Sequence, residues 1–331
     1  MRGKIALEEH LATPEFEAIW DVKGEAARNG EHYMAEVRQR LLDVDQRLRD
    51  MDRFGIETMI LSLTSPGVQG LPHAARATQL ARRTNDQITR DYVRAYHGRF
   101  HAFATVALQD PSAAADEAER AVKELGMLGV LVNGYTNVGD PHTARYLDET
   151  AVWEFWDRVA QLDVPVYLHP REPLASQQRI YEGYPSLVGS AWGFAHETAT
   201  HAVRLMLSGL FDHYPNLLII LGHLGEGLPQ LLPRLESRLA KQRYGSGAPN
   251  AKRPVGEYFR RNFYLTTSGH FHTTSLVNAI AEIGIERLMF AVDYPYEYTE
   301  EAARWFDATP ISDQDRQAIG RDNACRLFRL N

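Results

Sequence analysis

The sequence predicts an α/β protein built as a single (β/α)8 barrel, a TIM barrel with long loops after strands one and five. Three observations predict it. Strand-like and helix-like stretches alternate through eight units from one end of the chain to the other, with no composition break marking a second domain within residues 1–331. Such alternation builds a parallel sheet covered by helices. Histidine, glutamate or aspartate closes several of the strand-like stretches, and barrel enzymes keep their chemistry at those ends. A doubly wound sheet is the rival fold, and it would need a glycine-rich nucleotide fingerprint after strand one, where Glu9-His10-Leu11 stands instead.

Lys4 to His10 reads as the first strand. Alternation along it would put Glu8 and His10 on one side and Glu9 on the other. Leu11 to Arg38, with Pro14, Gly24 and Gly30, reads as an irregular stretch of the length typical of a lid or binding loop. Leu41 to Phe54 has helical periodicity through Leu42, Leu48 and Met51, flanked by Val44, and Gly55 closes it. The later strands are expected at Ile56 to Leu63, His101 to Leu108, Leu128 to Val132, Val164 to His169, Leu217 to Leu221, Phe263 to Thr267 and Arg287 to Val292. Helical patterns at Ala74 to Tyr96, Ala113 to Leu125, Ala151 to Leu162, His196 to Leu210, Leu228 to Gln242 and Thr274 to Ile283 separate them, and Glu301 to Ala308 and Ser312 to Phe328 close the chain. Pro170 to Gly193 is the second long loop, and the segment from Gly245 to Pro249 is the most linker-like stretch.

Composition narrows the function classes. The chain is 44% hydrophobic and 24% charged, with a net charge of -7, which disfavours nucleic acid as a partner. One cysteine, Cys325, rules out an internal disulfide and a cysteine-cluster metal site. Charged residues interrupt the first apolar run, and no run reaches the roughly 18 apolar residues of a membrane helix. The expected location is the cytoplasm.

The chemistry gathers at strand ends: Glu8 and His10 on the first, His169 on the fifth, His223 on the sixth, Asp293 on the eighth. Singly, such residues are most simply hydrogen-bonded polar groups where a strand meets solvent. Facing one barrel mouth together, they make a mixed imidazole and carboxylate set that suits Zn²⁺, Mn²⁺ or Fe²⁺. His32, His73, His97, His142 and His213 fall in loops or on helix faces and read as solvated.

These residues carry a resemblance. Glu8-Glu9-His10, Leu168-His169-Pro170, Gly222-His223-Leu224-Gly225-Glu226, Thr266-Thr267-Ser268-Gly269 and Asp293-Tyr294-Pro295 resemble the amidohydrolase superfamily, in its metal-dependent hydroxybenzoate decarboxylase branch. The resemblance spans nearly the whole chain. It implies that Glu8, His10, His169 and Asp293 hold one divalent ion, Mn²⁺ favoured and Zn²⁺ second. It implies that Asp293, His223 and Glu226 carry the catalysis, Asp293 as proton donor, and that Phe194 and Arg234 lie near a small aromatic carboxylate substrate. His270 and His272 follow the seventh strand but have no ligand role in that pattern. A homotetramer is also implied. The expected reaction is reversible, non-oxidative loss of CO₂ from an ortho-hydroxybenzoate, 2,6-dihydroxybenzoate to resorcinol first, with 2,3-dihydroxybenzoate or salicylate as alternatives. A metal-dependent amide or lactone hydrolase is the rival on the same scaffold.

Overall fold

The structure is a computed structural model that describes residues 1–242, 244–245 and 250–330. Its barrel strands are β1 (Lys4–Leu11), β2 (Ile56–Leu63), β3 (Phe100–Ala102), β4 (Val130–Asn133), β5 (Val166–His169), β6 (Ile219–Leu221), β7 (Phe263–Thr266) and β8 (Leu288–Met289). All pair in parallel, in two runs, β1-β2-β3 and β8-β7-β6-β5-β4. Single bridges join the runs at both seams, Leu7 to Ala291 and Ala104 to Val130. Hydrogen bonds from Leu7 N to Phe290 O (3.2 Å) and from Leu131 N to Ala104 O (2.9 Å) close the cylinder.

The strands are apolar on both faces, as buried parallel strands must be. Alternate residues divide between two cores. Ile5, Leu7, Ile60, Phe103, Leu131, Tyr167, Ile220 and Met289 pack with one another inside the barrel. Their neighbours Ala6, Met59, Leu61, Val130, Val166, Leu168, Ile219 and Leu288 face helix residues such as Trp156, Leu205, Phe259 and Phe306. Phe328, from the last helix, Asn323–Phe328, joins the inner core with its ring 5.7 Å from that of Phe103.

Several sequence expectations need correction. β1 does not bring Glu8 and His10 together by simple alternation. Its register shifts between Ala6 and Glu9, with Glu8 at φ 61, so a bulge aims the side chain. Leu11 to Arg38 is largely helical, in Pro14–Glu17, Lys23–Asn29 and the first part of Glu31–Leu42. Thr13 caps the first of these through Phe16 N, and Asp43 caps Val44–Phe54 through Gln46 N, so Leu41 and Leu42 end one helix rather than begin the next. Leu42 is accordingly 42% exposed.

β3 and β8 are shorter than their apolar runs because side chains take over as backbone partners. Asn85 bonds both Thr105 N and Thr105 O, and Gln69 donates to Val106 O. Thr267 Oγ1 bonds Ala291 N and O, and Glu9 takes Val292 N. Of the linker-like segment, residues 246–249 lie outside the described residues. Among the described residues, no helix is long and apolar enough to cross a membrane.

Candidate active site

Glu8, His10, His169 and Asp293 arrive from β1, β5 and the segment after β8, and each offers one ligand-type atom, all within 4.8 Å of one another. His169 Nε2 is 3.4 Å from Glu8 Oε1, and His10 Nε2 is 3.3 Å from Asp293 Oδ1. The outward atoms of two of them are occupied. Glu8 Oε2 accepts from the hydroxyls of Tyr167, Ser268 and Thr266, while Ser62 Oγ lies 3.1 Å from His10 Nδ1. The inward atoms, Glu8 Oε1 and His10 Nε2, are buried and make no hydrogen bond among the described residues. Gly222 lets this packing exist, since a Cβ there would sit 2.6 Å from Glu8 Oε2.

Buried carboxylate and imidazole ligand atoms left without hydrogen-bond partners are costly unless a cation sits among them. The donor set therefore fits one divalent metal ion. Nitrogen and oxygen without sulfur suits Mn²⁺ or Zn²⁺.

His223 stands beside this cluster. Its Nδ1 is 2.8 Å from Glu226 Oε1 and its Nε2 is 3.5 Å from Asp293 Oδ2. The turn that carries it is unusual, with φ of 50 at His223, 53 at Leu224 and 56 at Glu226. Residues other than glycine are held in that region only where the surroundings over-determine them, most often at functional sites.

Burial opposes charge on His223, but Glu226 and Glu8 outweigh it and push its pKa well above the usual imidazole value. Burial would raise Asp293, but the nearby His10 and His223 imidazoles hold it below the usual carboxyl range. Burial, with the charge of His10, pushes His169 well below its ordinary value, leaving a neutral imidazole able to ligate.

A cavity of about 170 Å³ opens onto His169, His223 and Asp293. Phe194, at the start of the helix Gly193–Leu207, lines it. Arg234 does not. It is exposed on the helix Leu228–Gln242, off the inward stripe of Leu228, Leu232 and Leu235, so this chain does not bring it to the cavity. His32, His73, His97, His142 and His213 are exposed.

Other cavity residues escaped the sequence reading. Trp20 and Tyr33 come from the stretch read as a binding loop, so only their position was signalled. Arg171 directly follows Leu168-His169-Pro170. It is buried, 3.9 Å over the ring of Tyr135, and bonded to Tyr135 O and Asn137 Oδ1, both at 2.6 Å. Glu297 is the fourth residue after Asp293. Burial and the Asp293 charge push its carboxyl up to about 7.

The whole-chain comparisons agree with this geometry. A family profile described as amidohydrolase matches residues 20–330. A gamma-resorcylate decarboxylase from Rhizobium sp. (strain MTP-10005) is 49% identical over 100% of this chain and 99% of its own. A crystal structure of a 2,6-dihydroxybenzoate decarboxylase complexed with 2,6-dihydroxybenzoate superposes with a TM-score of 0.94, at 48% identity and full coverage of both chains. A dihydroxybenzoic acid decarboxylase from Polaromonas sp. JS666, solved with bound manganese and the inhibitor 2-nitroresorcinol, gives a TM-score of 0.93 at 49% identity, covering 100% of this chain and 98% of that one. With the barrel, the strand-end donor cluster and these full-length matches in agreement, the chain belongs to the amidohydrolase family.

Proposed function

We propose that this chain is a metal-dependent carboxy-lyase that converts 2,6-dihydroxybenzoate reversibly to resorcinol and CO₂. The observation that carries the reading is the four-donor cluster opening into a cavity whose wall also presents the His223–Asp293 contact. Glu8, His10, His169 and Asp293 would hold the ion. When bound, it supplies positive charge and Lewis acidity beside the substrate's carboxylate and ortho oxygen. The similarity to decarboxylases that bind manganese and hydroxylated benzoates supports the same chemistry.

The chain's own groups then handle the proton. Glu226 holds Nδ1 of His223 and favours its charged form, making His223 a proton reservoir. Asp293, on the cavity wall and 3.5 Å from that reservoir, delivers the proton to the ring carbon bearing the carboxylate. Protonation interrupts the aromatic system at that carbon. The carbon–carbon bond then breaks, its electron pair restores the ring, and CO₂ leaves. Phe194 and Tyr296, both on the cavity wall, keep the reacting carbon out of water.

The same reading includes a homotetramer, supported by the exposed apolar side chains Ile180, Tyr184, Leu187 and Trp192 on the long loop after β5. Cys325, which has no disulfide, fits the reducing cytoplasm. The test is incubation of the Mn²⁺-loaded protein with 2,6-dihydroxybenzoate, following CO₂ and resorcinol. Stoichiometric release of both is expected. Hydrolysis of an amide or lactone panel without CO₂ release from any ortho-hydroxybenzoate would overturn the reading.

A further inference from the structure

Behind the metal-binding cluster lie two buried ionisable side chains that the proposed reaction does not use. Glu9 and Arg47 are 0% and 1% exposed, and neither lines the cavity nor belongs to the donor cluster. Glu9 leaves the bulged strand on the side away from the cluster. Its Oε1 accepts from Val292 N at 2.8 Å, and the backbone of Tyr294 also bonds its carboxyl. Those two residues flank Asp293.

Arg47 comes from the helix Val44–Phe54. It donates through Nη2 to the carbonyl of His10, and its guanidinium carbon sits 4.2 Å from the ring centre of Tyr294. His10 N donates in turn to Tyr294 O at 2.6 Å. Two side chains thus grip the backbone on both sides of the 3.3 Å contact between His10 Nε2 and Asp293 Oδ1.

The bland account is that two buried polar side chains add stability. It explains little. Buried ionisable groups are often no more stabilising than apolar residues of similar volume. Arg47 Nη1 and Glu9 Oε2 are buried without a hydrogen-bond partner among the described residues, which is poor economy for a stability device.

We propose that Glu9 and Arg47 are positioning residues that fix the separation and orientation of His10 and Asp293, and through them the affinity and symmetry of the metal site. The proposal rests on the ligand set assigned above.

The test compares Glu9→Gln, Arg47→Met and the double variant with the parent. The readouts are the Mn²⁺ dissociation constant by chelator competition, the electron paramagnetic resonance pattern of bound Mn²⁺, and Tm. Residues that orient ligands typically cost about 10–100-fold in metal affinity when changed. Each single variant should lose affinity in that range and alter the resonance pattern. The double variant, which leaves no lone buried charge, should recover Tm without recovering affinity. Affinity and spectrum within twofold of the parent, or affinity that returns together with Tm, would overturn the proposal. If Arg47→Met does not fold, Arg47→Lys, which keeps the charge but not the fork, is read by the same criteria. His10→Ala is the control. Loss of affinity there, without loss in the Glu9 and Arg47 variants, overturns this proposal alone. Unchanged affinity in His10→Ala overturns the ligand set, and this proposal with it.

Discussion

Asp293 Oδ2 stands 3.5 Å from His223 Nε2, while its Oδ1 lies 3.3 Å from His10 Nε2. One carboxylate thus joins the His223 imidazole to the donor cluster. Asp293→Asn keeps an oxygen for the ion but removes the group that carries the proton. General acid catalysis contributes about 10²–10⁴-fold, so kcat at matched metal occupancy should fall by at least about 10²-fold. His223→Asn should retain still more of the metal and also slow turnover. An Asp293→Asn protein with full metal and parental kcat would rule out the proton route.

Removing the ion should abolish activity and lower stability together, because the inward atoms of Glu8 and His10 are then buried without a hydrogen-bond partner. Metal analysis should give one equivalent of Mn²⁺ per chain. At Mn²⁺ near 100 times its Kd, binding to the folded state alone stabilises by about 2.7 kcal/mol. Tm should therefore rise by several degrees on reloading. A chelated protein with parental activity and Tm would contradict the site.

A hydroxyl ortho to the carboxylate should be required, since the two oxygens together would suit the one ion that Glu8, His10, His169 and Asp293 would hold. Turnover of 3- or 4-hydroxybenzoate should be below about one hundredth of that of 2,6-dihydroxybenzoate, a difference of about 2.7 kcal/mol in the barrier. Comparable rates, followed by CO₂ release, would show that the ortho oxygen has no such role.

Glu297 should give substrate binding its pH dependence. Its carboxyl is pushed up to about 7, so it is mostly neutral below that pH and anionic above it. An anionic Glu297 on the cavity wall repels a benzoate, so KM should rise severalfold between pH 6 and pH 8. Glu297→Gln should flatten that rise while leaving kcat within about threefold. A KM profile identical in parent and variant would remove Glu297 from substrate binding.

The sequence revealed the barrel because each unit repeats a buried apolar strand, a turn and an amphipathic helix, a periodic signal that survives imprecise boundaries. The strand-end positions of His169, His223 and Asp293 followed from it. What stayed hidden depends on contacts across the chain. The bulge at Glu8 exists because the barrel end packs Tyr167, Ser268 and Thr266 around one carboxylate oxygen. The shortening of β3 depends on Asn85, twenty residues away. Arg234 shows the limit of spacing, which places it on a helix but leaves to packing which way that helix turns its arginine.

Among the described residues, five of the seven non-glycine positions with positive φ are Glu8, His223, Leu224, Glu226 and Asp293. Anyone evolving this protein for heat tolerance will meet that clustering. Substitutions that relax left-handed backbone are a common source of added stability, and here most of them would replace a side chain the site needs. Leu224 is the exception, since its neighbours carry the polar groups. Leu224→Gly relieves the backbone but gives up a buried side chain packed in the main core, and Leu224→Asn puts a polar group there. Thermal hardening of this enzyme should therefore come from its outer helices and loops, with the barrel mouth left as a fixed, slightly tense frame.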